Sequence, residues 1–450
     1  MTGSPQELRE LAAQLAHRGV VGLTIVWADN NGIPRSRTVP VWRLAEVAER
    51  GVGVSTLFAV FDSHDGITFS YDGMATPSGD VRLVPVVERL VPLHGQPGFA
   101  WAPGRQIAAD GSPWPYDQRA VLERQVAAAA AAGVTFRAGW EMEFVLSSAG
   151  SEIAPGGPAY SPVTLLSVDE FAATLLRDLD ANGLRVNQFH AEYGPAQFEF
   201  SLLPSDPLSA ADDQLLARQT LHAAARAHGL RVTFAPMTSA EVIGNGWHLH
   251  VSVLRDGREL LPGDGPHGLS AEGGAFLAGL LRDLPALTAV TAPSVPSRTR
   301  LRPGYFSGAY AFWGVENREA ALRYIPATPL LGDGNANIEL KPCDASANPY
   351  LALAAVISSG LAGLADGLTP PEPVAVDPGG WPERLRAEHG VMRLPETPQE
   401  QLDALKASER VSAVLGPELL GAFRAVRESD LAWAADRSPA EVIQAHLWRY

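Results

Sequence analysis

Glu141 and Glu143 in GWEMEF, His248 and His250 in GNGWHLHVS, and Glu339 and Lys341 in NIELKP stand two residues apart in each segment. All three segments read as β-strands, and successive side chains on a strand point to opposite faces, so each pair shares a face. A fourth segment, FHAEYGPAQFEFS, places Glu192 and Glu199 on either side of a Gly194-Pro195 turn. Five glutamates and two histidines aimed inward from apolar strands make no sense as a core, because unpaired buried charge is very costly. Divalent cations are the simplest compensation, and they suit oxygen ligands with some imidazole.

The elements that must carry these groups follow from periodicity and punctuation. Leu8, Leu11 and Leu15 predict an amphipathic helix over 6–18. Strand-like runs follow at 21–28, 36–41, 54–61, 67–71 and 81–86, broken by turns such as Asn30-Asn31-Gly32, with one helix-like stretch at 41–50. The Pro/Gly-rich 92–116 reads as a connection. Helices are expected at 117–132, where the alanines end at a capping Gly133, around 168–182, and at 207–228. A strand RVTFAP follows, then the motif strands at 244–255 and 337–342. Asn348-Pro349 opens a further helix, since Asn caps and Pro is tolerated in a first turn. The tail from 380 reads as helical with breaks at Pro395, Pro417 and Pro439.

The chain has 450 residues, 46% of them hydrophobic, enough for a sizeable core in two or three domains. A net charge of −15 argues against a nucleic-acid partner. The lone Cys343 excludes an intramolecular disulfide and a cysteine-based zinc site, and a reducing cytoplasm fits. No signal peptide is expected, and no apolar run is read as membrane-spanning. Arginine outnumbers lysine 33 to 2, which makes a lysine at a chemical position notable.

On these residues the chain resembles the glutamine synthetase superfamily. The family's elements occur in order over residues 139–355: the EMEF glutamates, the HxE…QxE hairpin, GxGxHxH, Asn317-Arg318 and Arg323, the ExK strand, and DASANPYLALAA. The resemblance implies an α+β fold, with a β-grasp domain over 1–104 and a catalytic domain over 105–450 whose antiparallel strands form a funnel surrounded by helices. It implies ATP and two or three Mg²⁺ (or Mn²⁺) as cofactors. Glu143, Glu192 and Glu199 match the ligands of one metal, and Glu141, His248 and Glu339 those of another. His250 and Ser252 match nucleotide contacts. Arg318 and Arg323 match arginines on the transferred phosphoryl group, Arg323 also serving the nucleotide. Arg300 matches the arginine on the substrate carboxylate, beside Gly244. The family assembly would be a homododecamer of two stacked hexameric rings.

Departures from an ordinary glutamine synthetase lie mostly on the substrate side. Phe306 follows Pro303-Gly304-Tyr305 where the family carries a glutamate, and Ser55 or Thr56 stands where an aspartate should be. Lys341 replaces an arginine, Ile243 an asparagine, and Asn337 an arginine near the nucleotide. A cation pocket without both carboxylates should lose ammonium. The expectation is therefore a ligase that forms a γ-glutamyl amide from glutamate and a small, weakly charged non-ammonia amine. An ordinary glutamine synthetase and a catalytically silent structural homologue are the alternatives. The run Val391-Met392-Arg393-Leu394-Pro395-Glu396 lacks the tyrosine that adenylylation control requires.

Overall fold

The computed structural model describes residues 3–74, 76–148, 157–330 and 335–450. Its first sheet is ordered Pro34–Pro40, Gly22–Ala28, Phe99–Ala108, Asp80–Pro85, Val52–Ser55, with a two-residue Val91–Pro92 strand also on Phe99–Ala108. Gly22–Ala28 and Phe99–Ala108 run parallel, and the other pairs are antiparallel. The predicted first helix forms as Pro5–His17. Ser4 and Glu7 close a capping box at its start, and Leu8, Ala12 and Leu15 are buried.

Three details differ from expectation. The run at 54–61 is a strand only to Ser55, whose hydroxyl accepts the Leu57 N–H and starts a 3₁₀ turn over Thr56–Val60. The strand expected at 67–71 reduces to a single bridge between Phe61 and Ile67. The supposed connection 92–116 holds the ten-residue Phe99–Ala108 strand, which lies between two neighbours in mid-sheet. Residues 100–104 are all buried, so the strand shows none of the alternation that marks a half-exposed one. It also crosses position 104. We propose that the first domain ends after it, in the 109–114 turn.

Among the described residues, the second sheet has nine strands. Its main path is Trp313–Val315, Leu322–Ile325, Asn337–Leu340, Trp247–Arg255, Thr135–Ser148, Gln197–Leu202, Val186–Ala191. All its pairs are antiparallel except Trp313–Val315 with Leu322–Ile325. Trp140, Met142, Phe144, Phe198, Phe200, Trp247 and Leu249 are buried in the main core. That core is shared with helices Gln118–Ala131, Asp169–Ala181, Pro207–Ala227, Ala271–Thr291 and Pro349–Asp366. Asn348 caps the last of these as expected, accepting the N–H groups of Tyr350 and Leu351.

The 21-residue Ala271–Thr291 helix is absent from the sequence reading. It is apolar almost all round, so no 3.6-residue stripe shows. It packs closely on Pro349–Asp366: a Cβ on Gly279 would meet the Ser359 carbonyl at 2.4 Å, and one on Gly363 the Ala275 carbonyl at 2.2 Å. Both helices are long and apolar enough to cross a membrane, which corrects the expectation that no such run exists. Yet 83% and 67% of their most apolar windows are buried inside this fold, as in core helices. In the tail the helical run breaks at Pro417 and Pro439 as expected, each proline opening the next helix, Pro417–Ala434 and Pro439–His446.

The turn after Gly22–Ala28 joins the two sheets' cores. Asn348 Nδ2 donates to the carbonyls of Ala28 (3.2 Å) and Asp29 (3.0 Å), and Arg218 Nη1 to that of Gly32 (2.9 Å). Asn30 and Asn31 are buried and donate to the Ala59 and Phe61 carbonyls. Gly32 has φ +67°, and a Cβ there would lie 2.5 Å from the Ala347 carbonyl. The Arg218 guanidinium also lies 4.4 Å from the ring centre of Trp247, the first residue of the histidine-bearing strand.

Candidate active site

The register of the second sheet sets the chemistry in a row. Arg323 pairs with Glu339, Glu339 with His250, His248 with Glu141, Glu143 with Glu199, and Glu199 with His190 across successive strands. Because each strand alternates, these groups share one face while Trp140, Met142 and Leu249 occupy the other. The carboxylates and imidazoles converge. His248 Nδ1 lies 3.2 Å from Glu339 and 3.4 Å from Glu141, and its Nε2 is 3.7 Å from Glu143. His190 Nε2 lies 2.9 Å from Glu192 and 3.6 Å from Glu199. Among the described residues, three groups could each hold a cation, with ligand atoms within 4.8 Å of one another: Glu141, His250 and Glu339; Glu141, Glu199 and His248; His190, Glu192 and Glu199.

The donor set fits a dication. His250 Nδ1 lies 2.8 Å from the Asn337 side-chain oxygen, and its buried Nε2 lies 3.4 Å from Glu141. Burial opposes a charged imidazole there, but the hydrogen bond and charge of Glu141, with Glu339 adding, push it up to about 9, so in the protein alone Nε2 carries a proton that a dication would displace. With the protein alone, charge is resolved by protonation. Burial, with Glu192 adding to it, pushes the Glu143 carboxyl up to about 8. Burial and then the Glu141, Glu143 and Glu192 charges raise Glu199 well above the carboxylate range. Burial opposes ionisation of Glu141 and Glu339 too. It is outweighed at Glu141 by hydrogen bonds with His248 and His250, and at Glu339 by Lys341 and both imidazoles, so these two stay below the usual range. A bound dication would take over the role of those protons.

Gln197, given no role from sequence, ties the site to its floor. Its Nε2 donates to Glu143 Oε2 (2.8 Å), the Gly244 carbonyl (3.1 Å) and Asn245 Oδ1 (2.9 Å). Gly244 is confined, since a Cβ would meet the Pro236 carbonyl at 2.3 Å and Arg300 Cγ at 2.6 Å. Arg300 is buried beside it and donates to the Lys341 and Cys343 carbonyls. Lys341 Nζ lies 2.8 Å from Glu339, inside the carboxylate cluster, and Arg323 donates to the same glutamate at 3.0 Å. The Ser252 hydroxyl donates to the Ala336 carbonyl.

Three expected residues lie apart from the cluster. Arg318 is exposed on the turn after Trp313–Val315 and makes no ion pair among the described residues. Phe306 is half-exposed on the 302–308 loop, whose Gly308 packs against Lys341. Ser55 ends a strand of the first sheet and hydrogen-bonds only locally among the described residues. Conversely, His190 and Tyr160 belong to the site without having been singled out. His190 stands two residues before Glu192, and the same alternation would have found it. The Tyr160 hydroxyl donates to Glu192 at 3.0 Å from a loop with no periodic signal.

Residues 115–443 match the glutamine synthetase catalytic domain family. The chain is 43% identical, over all of its length and 97% of the relative's, to γ-glutamylpolyamine synthetase GlnA3 of Streptomyces coelicolor. It is 33% identical to the glutamine synthetase of Pyrococcus horikoshii, over 89% of this chain and 86% of the other. Among solved structures, a glutamine synthase homologue aligns with TM-score 0.85 at 32% identity, covering 96% of this chain and 99% of the other. A GmaS–ADP complex aligns with TM-score 0.81 at 26% identity, covering 96% and 97%. The chain belongs to the glutamine synthetase family. It is an ATP-dependent carbon–nitrogen ligase with a metal-binding type of active site.

Proposed function

We propose that this enzyme joins the γ-carboxylate of glutamate to an organic amine. A glutamate oxygen attacks the γ-phosphorus of ATP and ADP leaves. The neutral amine then attacks the acyl phosphate, inorganic phosphate leaves, and the amine nitrogen sheds one proton. Glu143, Glu192 and Glu199 would hold one divalent cation and Glu141, His248 and Glu339 another, with Mg²⁺ or Mn²⁺ supplying charge neutralisation on the phosphates. Arg318 and Arg323 are assigned to the transferred phosphoryl group, whose oxygens suit guanidinium forks. His250 and Ser252 are assigned to the nucleotide, and Arg300, Gly244 and Lys341 to glutamate. In the cytoplasmic homododecamer we envisage, Ser55 faces a neighbouring subunit's amine pocket.

The observation that carries this reading is Phe306, half-exposed on a loop packed against Lys341, with the carboxylate–imidazole cluster intact behind it. An aromatic ring suits a carbon substituent on the nucleophile and does not bind ammonium by charge. Identity of 43% to a γ-glutamylpolyamine synthetase favours a polyamine over the small, weakly charged amine expected from sequence. Phosphate release with ATP, Mg²⁺ and glutamate, measured with ammonium, methylamine, ethanolamine, putrescine and spermine, tests it. An organic amine should exceed ammonium in kcat/KM by about tenfold or more. Equal use of ammonium would return the chain to ordinary glutamine synthesis.

A further inference from the structure

Glu319 was not among the candidate residues, and the structure gives it a specific partner. It lies one residue past Arg318 and is only 8% exposed. Its Oε1 accepts the backbone N–H of Phe306 at 2.9 Å. Its own N–H donates to Asn317 Oδ1, and the Asn317 amide donates to the carbonyls of Val374 and Val376. The carboxylate is thus mounted on a turn that is itself tied down.

What it holds is a strained loop. Gly304 has φ +76°, Gly308 +73°, and Phe306, a bulky residue with a Cβ, +52°. A non-glycine residue in that region is strained and persists only where the surroundings enforce it. A buried carboxylate is costly as well. Two unfavourable features that meet at one hydrogen bond make sense together if the position of residue 306 matters. A carboxylate absent from side chain 306 is present beneath it, bonded to its backbone.

We propose that Glu319 is a positioning residue that fixes Phe306 across the amine entrance and thereby sets amine preference. This rests on reading Phe306 as the residue that faces the amine. Substitutions at 319 act through the ring at 306, not through the nucleotide or metal sites.

The test uses the full-length oligomer and two readouts. Deuterium exchange of the 302–308 amides should speed up about tenfold in Glu319→Ala and much less in Glu319→Gln, whose amide oxygen can still accept the N–H. In steady state, Glu319→Ala should raise KM for the best organic amine about tenfold while KM for ATP and glutamate stays put, with Glu319→Gln largely restored. In a Phe306→Ala background, either substitution at 319 should add no further change, the signature of residues acting as a unit. Unchanged exchange overturns the proposal, and so do additive effects in the double variant. A Gln variant as impaired as the Ala variant does the same, because the carboxylate's charge would then be what counts. If wild-type enzyme favours ammonium, the reading of the substrate fails, and the exchange result still decides the role of Glu319. If Glu319→Ala does not fold, the Gln variant and its Phe306→Ala double carry the cycle.

Discussion

Glu143 and Glu199 sit directly opposite each other on neighbouring antiparallel strands, where like charges destabilise a sheet. Such a pair is tolerable only with protons or a cation between them. Saturating Mg²⁺ should therefore raise the melting temperature, as ligand at a hundred times Kd stabilises by about 2.7 kcal/mol. Glu143→Ala and His248→Ala should each abolish amide formation and most of that thermal shift. Calorimetry with and without metal checks it, and a full shift in both variants would remove them from the metal site. At the entrance, Phe306→Glu should move the ratio of ammonium to organic-amine kcat/KM about tenfold towards ammonium, or about 1.4 kcal/mol. An unmoved ratio in competition assays would mean that the amine does not pass residue 306. The cluster could be read from the chain because period-two spacing on strands survives any tertiary arrangement. Tyr160 and Glu319 could not, since their partners are set by loops whose course no local pattern records.

Between residues and the full fold, the elements show where pattern reading succeeds and where it fails. Capped and amphipathic helices such as Pro5–His17 and strands with one polar face were visible. Phe99–Ala108 and Ala271–Thr291 were not, because an element buried on every side loses the contrast that reveals its period. One helix start carries a testable pH dependence. Asp117 caps Gln118–Ala131, accepting the N–H of Arg119, and also accepts that of Gln106. Burial, with the Glu123 charge adding, pushes its carboxyl up to about 7. The folded protein therefore keeps a proton that the unfolded chain releases near about pH 4, and stability falls as pH rises through that window. Asp117→Asn keeps the cap without the buried charge. Its stability relative to wild type should grow from about pH 4 to about pH 7 and then level off, by at most about 4 kcal/mol. Urea unfolding at about pH 5 and about pH 8 measures this, and a pH-independent difference would refute it.

At the scale of the molecule, the two large sheets end, among the described residues, on Pro34–Pro40 and Val52–Ser55 in one and on Val186–Ala191 and Trp313–Val315 in the other. Trp42, 72% exposed, follows Pro34–Pro40 closely. An exposed tryptophan beside a sheet edge suits burial against another copy. Light scattering at micromolar concentration should give a dodecamer, and an active monomer would contradict it. The amide-bonded turn at Asn30-Asn31-Gly32 also bears on ancestry. A recombination event that carried residues 115–443 alone, the span that matches the catalytic family, would strip Arg218 and Asn348 of their acceptors. Those donors would turn to water, but the loss of Val26, Ala28, Ile33, Leu57 and Trp101 would open the main core they help to form. The catalytic portion is thus a poor candidate for shuffling between lineages. Its small companion sheet must be inherited with it, and the two are expected to share one phylogeny.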